Sequence, residues 1–245
     1  MGLLDMFSSS PEKKIEKTKR VMLNEHHQAQ VRQGAIYDLM NMDHPEAVAA
    51  LVERLGVSMR DTIQNEKEQG WVHDILVDRC KERAVEPLKA YIKGNQLISK
   101  AILALQELIS DEELELFLCE VLKGYDPKDH RSVDARLNLI DALHELPNSP
   151  LEVFLPYALD HSDDVRVKVI NTIRERLSQE SAEAQREAAT KALVGALSDP
   201  FAAGRITRAA GLTLARLELD VSAYTDQLTD LPDELTLEGG RIKAR

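Results

Sequence analysis

Thiols, aromatic rings and glycines are all scarce in this chain. Cysteine occurs twice in 245 residues, at Cys80 and Cys119. Lying 39 positions apart within helical patterns, the two make neither a redox CxxC nor a zinc site, and they read as buried free thiols in a reducing compartment. Aromatic residues are 4% and glycines 11 in number, while Leu, Ala, Glu, Lys and Arg dominate, a mixture that favours helices throughout. No apolar run approaches a membrane span, and the start lacks a basic-then-apolar signal peptide. Met6 stands where an acylation signal needs Ser or Thr. A cytoplasmic protein with no membrane partner is expected. No GxGxxG, Walker loop, GxSxG or HExxH occurs, so no cofactor is expected.

Positive charge is also short. The net charge is −11, and residues 24–240 carry 23 basic against 39 acidic groups, or −16. Phosphate backbones need neutralising cations, so nucleic acid is a poor partner for that body. The chain has 43% apolar and 30% charged residues, which is a globular composition.

Helical patterns alternate with short polar turns. They are expected near 12–23, 28–41, 45–56, 62–79, 82–93, 96–109, 111–122, 132–145, 150–160, 163–177, 181–197 and 202–217. Ser10-Pro11-Glu12 has the features of a helix start: a capping hydroxyl, proline in the first turn, and an acid facing the dipole. Asp61-x-x-Gln64 and Ser110-x-x-Glu113 read as caps at two more. Strand-like alternation is confined to 234–244, where Gly239-Gly240 can turn a small hairpin.

Twelve helices make six pairs, so a repeat is expected. The second helices offer anchors at Ala35, Trp71, Ala101, Leu139, Val169 and Ala210, with steps of 36, 30, 38, 30 and 41. Four positions after each comes Leu39, Ile75, Leu105, Leu143, Ile173 or Leu214, one helix face returning once per repeat. Two first helices carry internal prolines 69 positions apart, Pro87 and Pro156, which implies a shared kink.

The stretch FLPYALDHSDDVRVKVINTIRERL (154–177) resembles a HEAT repeat of the type also seen in phycobilisome-lyase-like proteins: a kinked first helix, an Asp-bearing turn, then Val-Arg opening the second helix. Asp160 and Arg166 keep the six-residue spacing at which such repeats link turn to helix in a ladder. Val31-Arg32 and Ala135-Arg136 match the helix opening. Asp199 and Arg205 keep the spacing but sit two positions early, and KGNQLISKAI (93–102) lacks both charges. The ending LPDELTLEGGRIKAR (231–245) is similar to the tails of uncharacterised bacterial HEAT-repeat proteins. The resemblance covers roughly residues 11–217 and implies an all-α fold, a right-handed α-solenoid of about six HEAT-like helix pairs. It would be preceded by an apolar tip (1–10) and closed by a C-terminal cap with a short hairpin (218–245). Di-iron hydroxylases of HEAT-like fold use recurring His-Glu dipeptides; only His144-Glu145 occurs here, so no metal is expected. HEAT-like DNA glycosylases need a basic groove, which the acidic body argues against. The turn 123–134 is the longest within a pair and reads as surface decoration.

One echo stands out. QGAIYDLM (33–40) returns thirty-six positions later as QGWVHDIL (69–76). On a helical wheel Val31, Ala35, Ile36, Leu39 and Met40 turn inward, whereas Gly34, Tyr37 and Asp38 turn elsewhere, and Gly70, His73 and Asp74 take the equivalent places. In a HEAT superhelix the second helices line the concave surface. Mid-helix glycine has two open readings, close helix packing or a shallow recess for a partner. Continuing the columns adds Glu107, Glu145 and Glu175, each six past its anchor. The acidic column has two open readings, a solvated inner face or a track for a basic peptide or helix, and these nine residues form the candidate site of a non-catalytic scaffold that takes a protein or peptide segment. The alternative implied by the resemblance is an enzyme or enzyme accessory of the bilin-lyase type, with Tyr37, His73 and Asp74 holding a small molecule. Nothing in the residues specifies an oligomeric state.

Overall fold

A computed structural model describes residues 10–177 and 181–245; the expected apolar tip lies, but for Ser10, outside the described residues. The fold is all-α, with eleven α-helices and one two-stranded sheet among the described residues. The helices are α1 (Pro11–Leu23), α2 (Ala29–Met40), α3 (Pro45–Arg54), α4 (Thr62–Asp74), α5 (Glu82–Gly94), α6 (Ser99–Gln106), α7 (Asp111–Lys123), α8 (Val133–Glu145), α9 (Asp163–Arg176), α10 (Glu183–Leu197) and α11 (Gly204–Arg216). Antiparallel strands β1 (Leu235–Glu238) and β2 (Arg241–Ala244) follow, joined by Gly239 and Gly240 at φ 58° and 75°. Such φ values favour glycine, so the expected hairpin forms where the sequence places it. No helix among the described residues is long and apolar enough to cross a membrane.

The chain divides into two compact units, Met1–Leu114 and Glu115–Arg245. In the first, α1, α3 and α5 pack in succession, while α2 packs against α1, α3 and α4. Their shared core includes Met22, Ile36, Leu39, Leu51, Leu76 and Leu88, each less than 2% exposed. In the second, α8, α9 and α11 pack in succession, and the segment Leu155–Leu159 packs on α9 and α10. The six expected anchors are buried except Trp71, which is half-buried.

Four local expectations need correction. Residues 150–160 form two short 3₁₀ segments, Leu151–Val153 and Leu155–Leu159, instead of one kinked α-helix. Pro156 has no N–H to offer the carbonyl four residues back, and the chain takes three-residue bonds, Tyr157 N to Phe154 O at 2.9 Å and Asp160 N to Tyr157 O at 3.1 Å. Pro87, by contrast, is accommodated inside α5. The expected helix 62–79 stops being α-helical at Asp74 and ends in a π-turn, Ile75–Cys80, closed by Lys81 N to Leu76 O at 2.9 Å. Ser10 makes no side-chain cap bond. Val31, expected inward, is 45% exposed, and the neighbouring Arg32 is buried in its place. The caps at Asp61 and Ser110 form as expected, accepting from Gln64 N at 2.9 Å and Glu113 N at 3.2 Å.

The C-terminal segment packs on α11 through β2. Leu228, Leu235 and Ile242 are buried, whereas Leu231 and Leu237 are only half-buried. Gly211 permits this contact: a Cβ there would stand 2.1 Å from Leu235 Cδ1. Both cysteines are free and buried, and burial pushes each thiol above its ordinary pKa.

Candidate functional site

Each unit is held by buried arginines that link one helix to the next. In the first, Arg32 donates to both Glu68 oxygens, at 3.0 and 2.7 Å, and Arg54 donates to Glu68 at 2.9 Å and to Asn65 at 2.9 Å. Gln69 extends the network, donating to Leu55 O at 2.7 Å. Burial opposes charge on Glu68, but the guanidinium hydrogen bonds of Arg32 and Arg54 outweigh it and hold the carboxyl below its ordinary range. In the second unit, Arg136 donates to both Asp160 oxygens at 2.7 and 2.9 Å, and Arg166 donates to Asp199 at 2.7 Å. The ladder residues singled out in the sequence are therefore used, but not within one repeat: Arg136 meets Asp160, and Arg166 passes over to Asp199. Arg205 turns instead to Asp164 at 2.9 Å.

The long turn 123–134 belongs to this scaffold. Arg136 donates to Asp129 O at 2.7 Å and to Ser132 Oγ at 2.6 Å. Tyr157 donates to Leu122 O and Tyr125 O, and burial raises its phenol to about 12. Arg176, at the end of α9, donates to Leu143 O and Leu146 O at 2.7 Å each and so caps α8.

The Arg32–Glu68 rung sets the register of the echo. Its partners are 36 positions apart, the offset of the echo itself. Gly34 and Gly70 thus lie two residues beyond the same rung, and Tyr37 and His73 five beyond it. Both glycines are exposed, and a Cβ on either would meet nothing within 4 Å. Close helix packing, one of the two open readings, has no contact here to support it. Tyr37 is 57% exposed, and Asp38 and Asp74 are exposed beside their rungs.

His73, Asp74 and Glu107 come together. His73 Nε2 lies 3.3 Å from Glu107 and Nδ1 3.6 Å from Asp74. In the second unit Glu175 meets a different histidine, His144, at 3.1 Å, and His144 Nδ1 lies 3.1 Å from Thr172 Oγ1. Glu145, next to it in sequence, is exposed.

Three further apolar residues of the first unit are exposed. Leu103 is 55% exposed two places after the Ala101 anchor, as Tyr37 and His73 are after theirs. Val31 and Leu97, 45% and 50% exposed, each stand four places before an anchor. The signal was the constant offset from the anchors. It goes unread because α6 lacks the Gln-Gly pair that draws attention to α2 and α4.

Compared with protein-family models, with curated proteins and with solved structures, the chain matches none.

Proposed function

We propose that the chain is a right-handed α-solenoid of HEAT type acting as a non-catalytic interaction scaffold. Its first-unit face of α2, α4 and α6 takes a protein segment bearing apolar residues next to basic ones. The carrying observation is the pair of open glycines, Gly34 and Gly70, flanked by exposed Tyr37 and Leu103. Each glycine costs its helix roughly 0.5–1 kcal/mol with no packing in return. Each exposed ring or Leu forgoes about 1.5–3 kcal/mol of burial that a partner can supply. Asp38, Asp74 and Glu107 add negative charge to the same face and favour a basic segment. The solenoid reading rests on the buried rungs between helix pairs and on α8, α9 and α11 packing in succession in the second unit. Two buried free thiols support a reducing compartment such as the cytoplasm.

A small-molecule site of the lyase type finds less support, since Tyr37 stands open to solvent where such a ligand needs enclosure. The test pairs stability with capture. Gly70→Leu, Tyr37→Ala and Leu103→Ala should each keep the melting temperature within a few degrees. Each should also lose the protein that the parent chain retains from an extract of its own cells. Undiminished capture by all three variants overturns the reading.

A further inference from the structure

The second unit carries a cleft of opposite character. It measures about 730 Å³ and is lined from α9, α11 and β2. Arg174, Arg216, Arg241 and Lys243 line it over an apolar floor that includes Leu212 and Ile242. Glu218 is the one carboxylate among the lining residues. Four cations converging on one cleft are unexpected in a chain of net charge −11.

Their pairing leaves charge to spare. Arg216 makes no ion pair among the described residues, and Arg174 reaches only Glu175, at 3.9 Å. Arg241 stands 3.5 Å from Glu218 and is half exposed. Lys243 alone has a close partner, Glu238 at 2.9 Å. The floor has apolar surface to offer, since Leu212 is 38% exposed. The wall matters as well. Strand β2 pairs with β1 along one edge, while the other is bridged only at Asp220–Arg241. Residues 242–244 run on along the cleft beyond that bridge.

We propose that this cleft binds an acidic, partly apolar protein segment in an extended conformation. Backbone groups of β2 beyond the bridge would hold its main chain, Arg174, Arg216 and Arg241 its carboxylates, and Leu212 an apolar side chain between them. Charge complementarity selects the partner: the cleft lining holds four cations against one carboxylate. The assignment does not rest on the first-unit face, which prefers the opposite charge.

Titration of the full chain with a fluorescent peptide of alternating Glu and Leu tests it. Two controls accompany the probe, a Lys/Leu peptide and a Glu/Ser peptide. The Glu/Leu peptide should bind, both controls should bind at least tenfold more weakly, and added salt should weaken binding. Arg216→Glu and Arg241→Glu should each reduce affinity about tenfold, while Arg60→Glu, the same charge change in the first unit, should leave it unchanged. Circular dichroism melts verify that the variants fold, and Arg216→Ala, a milder change, should give a smaller loss of the same sign. Equal binding of the Lys/Leu peptide, or indifference to both reversals, overturns the proposal. A charge reversal that instead dissociates a dimer in sedimentation shows a second copy as the occupant and overturns it too.

Discussion

Glycines at 34, 70 and 211 look alike in the sequence and do opposite things. At 34 and 70 there is open space, so alanine should remove backbone entropy from the unfolded chain without a clash. Gly34→Ala and Gly70→Ala should each raise stability by about 0.5–1 kcal/mol. Gly211→Ala should lower it by roughly 1–3 kcal/mol, because Leu235 is itself buried and has little room to move. Denaturant melts of the three variants read the signs directly. Glu68 makes a second prediction. Its folded pKa is lowered, so the ionised carboxylate stabilises the fold above the ordinary value of 4.5, and that stability is lost as pH falls through the folded pKa. Glu68→Gln should cost roughly 3–5 kcal/mol at neutral pH, leaving two buried guanidiniums short of charge. Its melting temperature should then fall less steeply than the parent's below pH 4.5.

Helices follow their sequence signals closely where capping and periodicity agree, and depart from them where the backbone runs out of donors. Pro156 turns a segment with a helical apolar pattern into 3₁₀ turns, while Pro87 sits in a full helix. The pattern cannot distinguish the two, since the outcome depends on which packing each segment must reach. The π-turn after α4 is a comparable case. It ends on Lys81 at φ 50°, ψ −129°, a conformation that costs a side-chain-bearing residue about 1–3 kcal/mol. Lys81→Gly should relieve that strain and raise the melting temperature, provided the π-turn is retained. A lower melting temperature would show that the Lys81 conformation is not strained.

At the C-terminus the apolar face of α11 is covered by the hairpin. Removing residues 218–245 takes away Leu219, Val221, Leu228, Leu235 and Ile242, all buried. Such a truncation should lower the melting temperature or the solubility, because α11 then exposes the surface that the cap covers. An unchanged melt would show that the second unit closes without the cap. Asp38, Asp74 and Glu107 are exposed in the first unit, whereas Arg174, Arg216, Arg241 and Lys243 line a cleft in the second.

Helix content, the caps at Asp61 and Ser110 and the final hairpin were legible in the residues, because each depends on local spacing: apolar period, capping side chains and a Gly-Gly turn. The echo at 33–40 and 69–76 was legible too, but not its meaning. Whether Gly34 and Gly70 pack or stand open depends on what neighbouring helices bring near them, and spacing along one helix carries no such information. The same holds for the arginines. Their positions at helix openings were visible, while their partners, Glu68, Asp160 and Asp199, were decided by contact between segments 24 to 36 positions apart. The basic cleft escaped altogether. Its cations come from α9, α11 and β2, scattered over seventy positions of an acidic sequence, and only the packing of the cap on α11 gathers them.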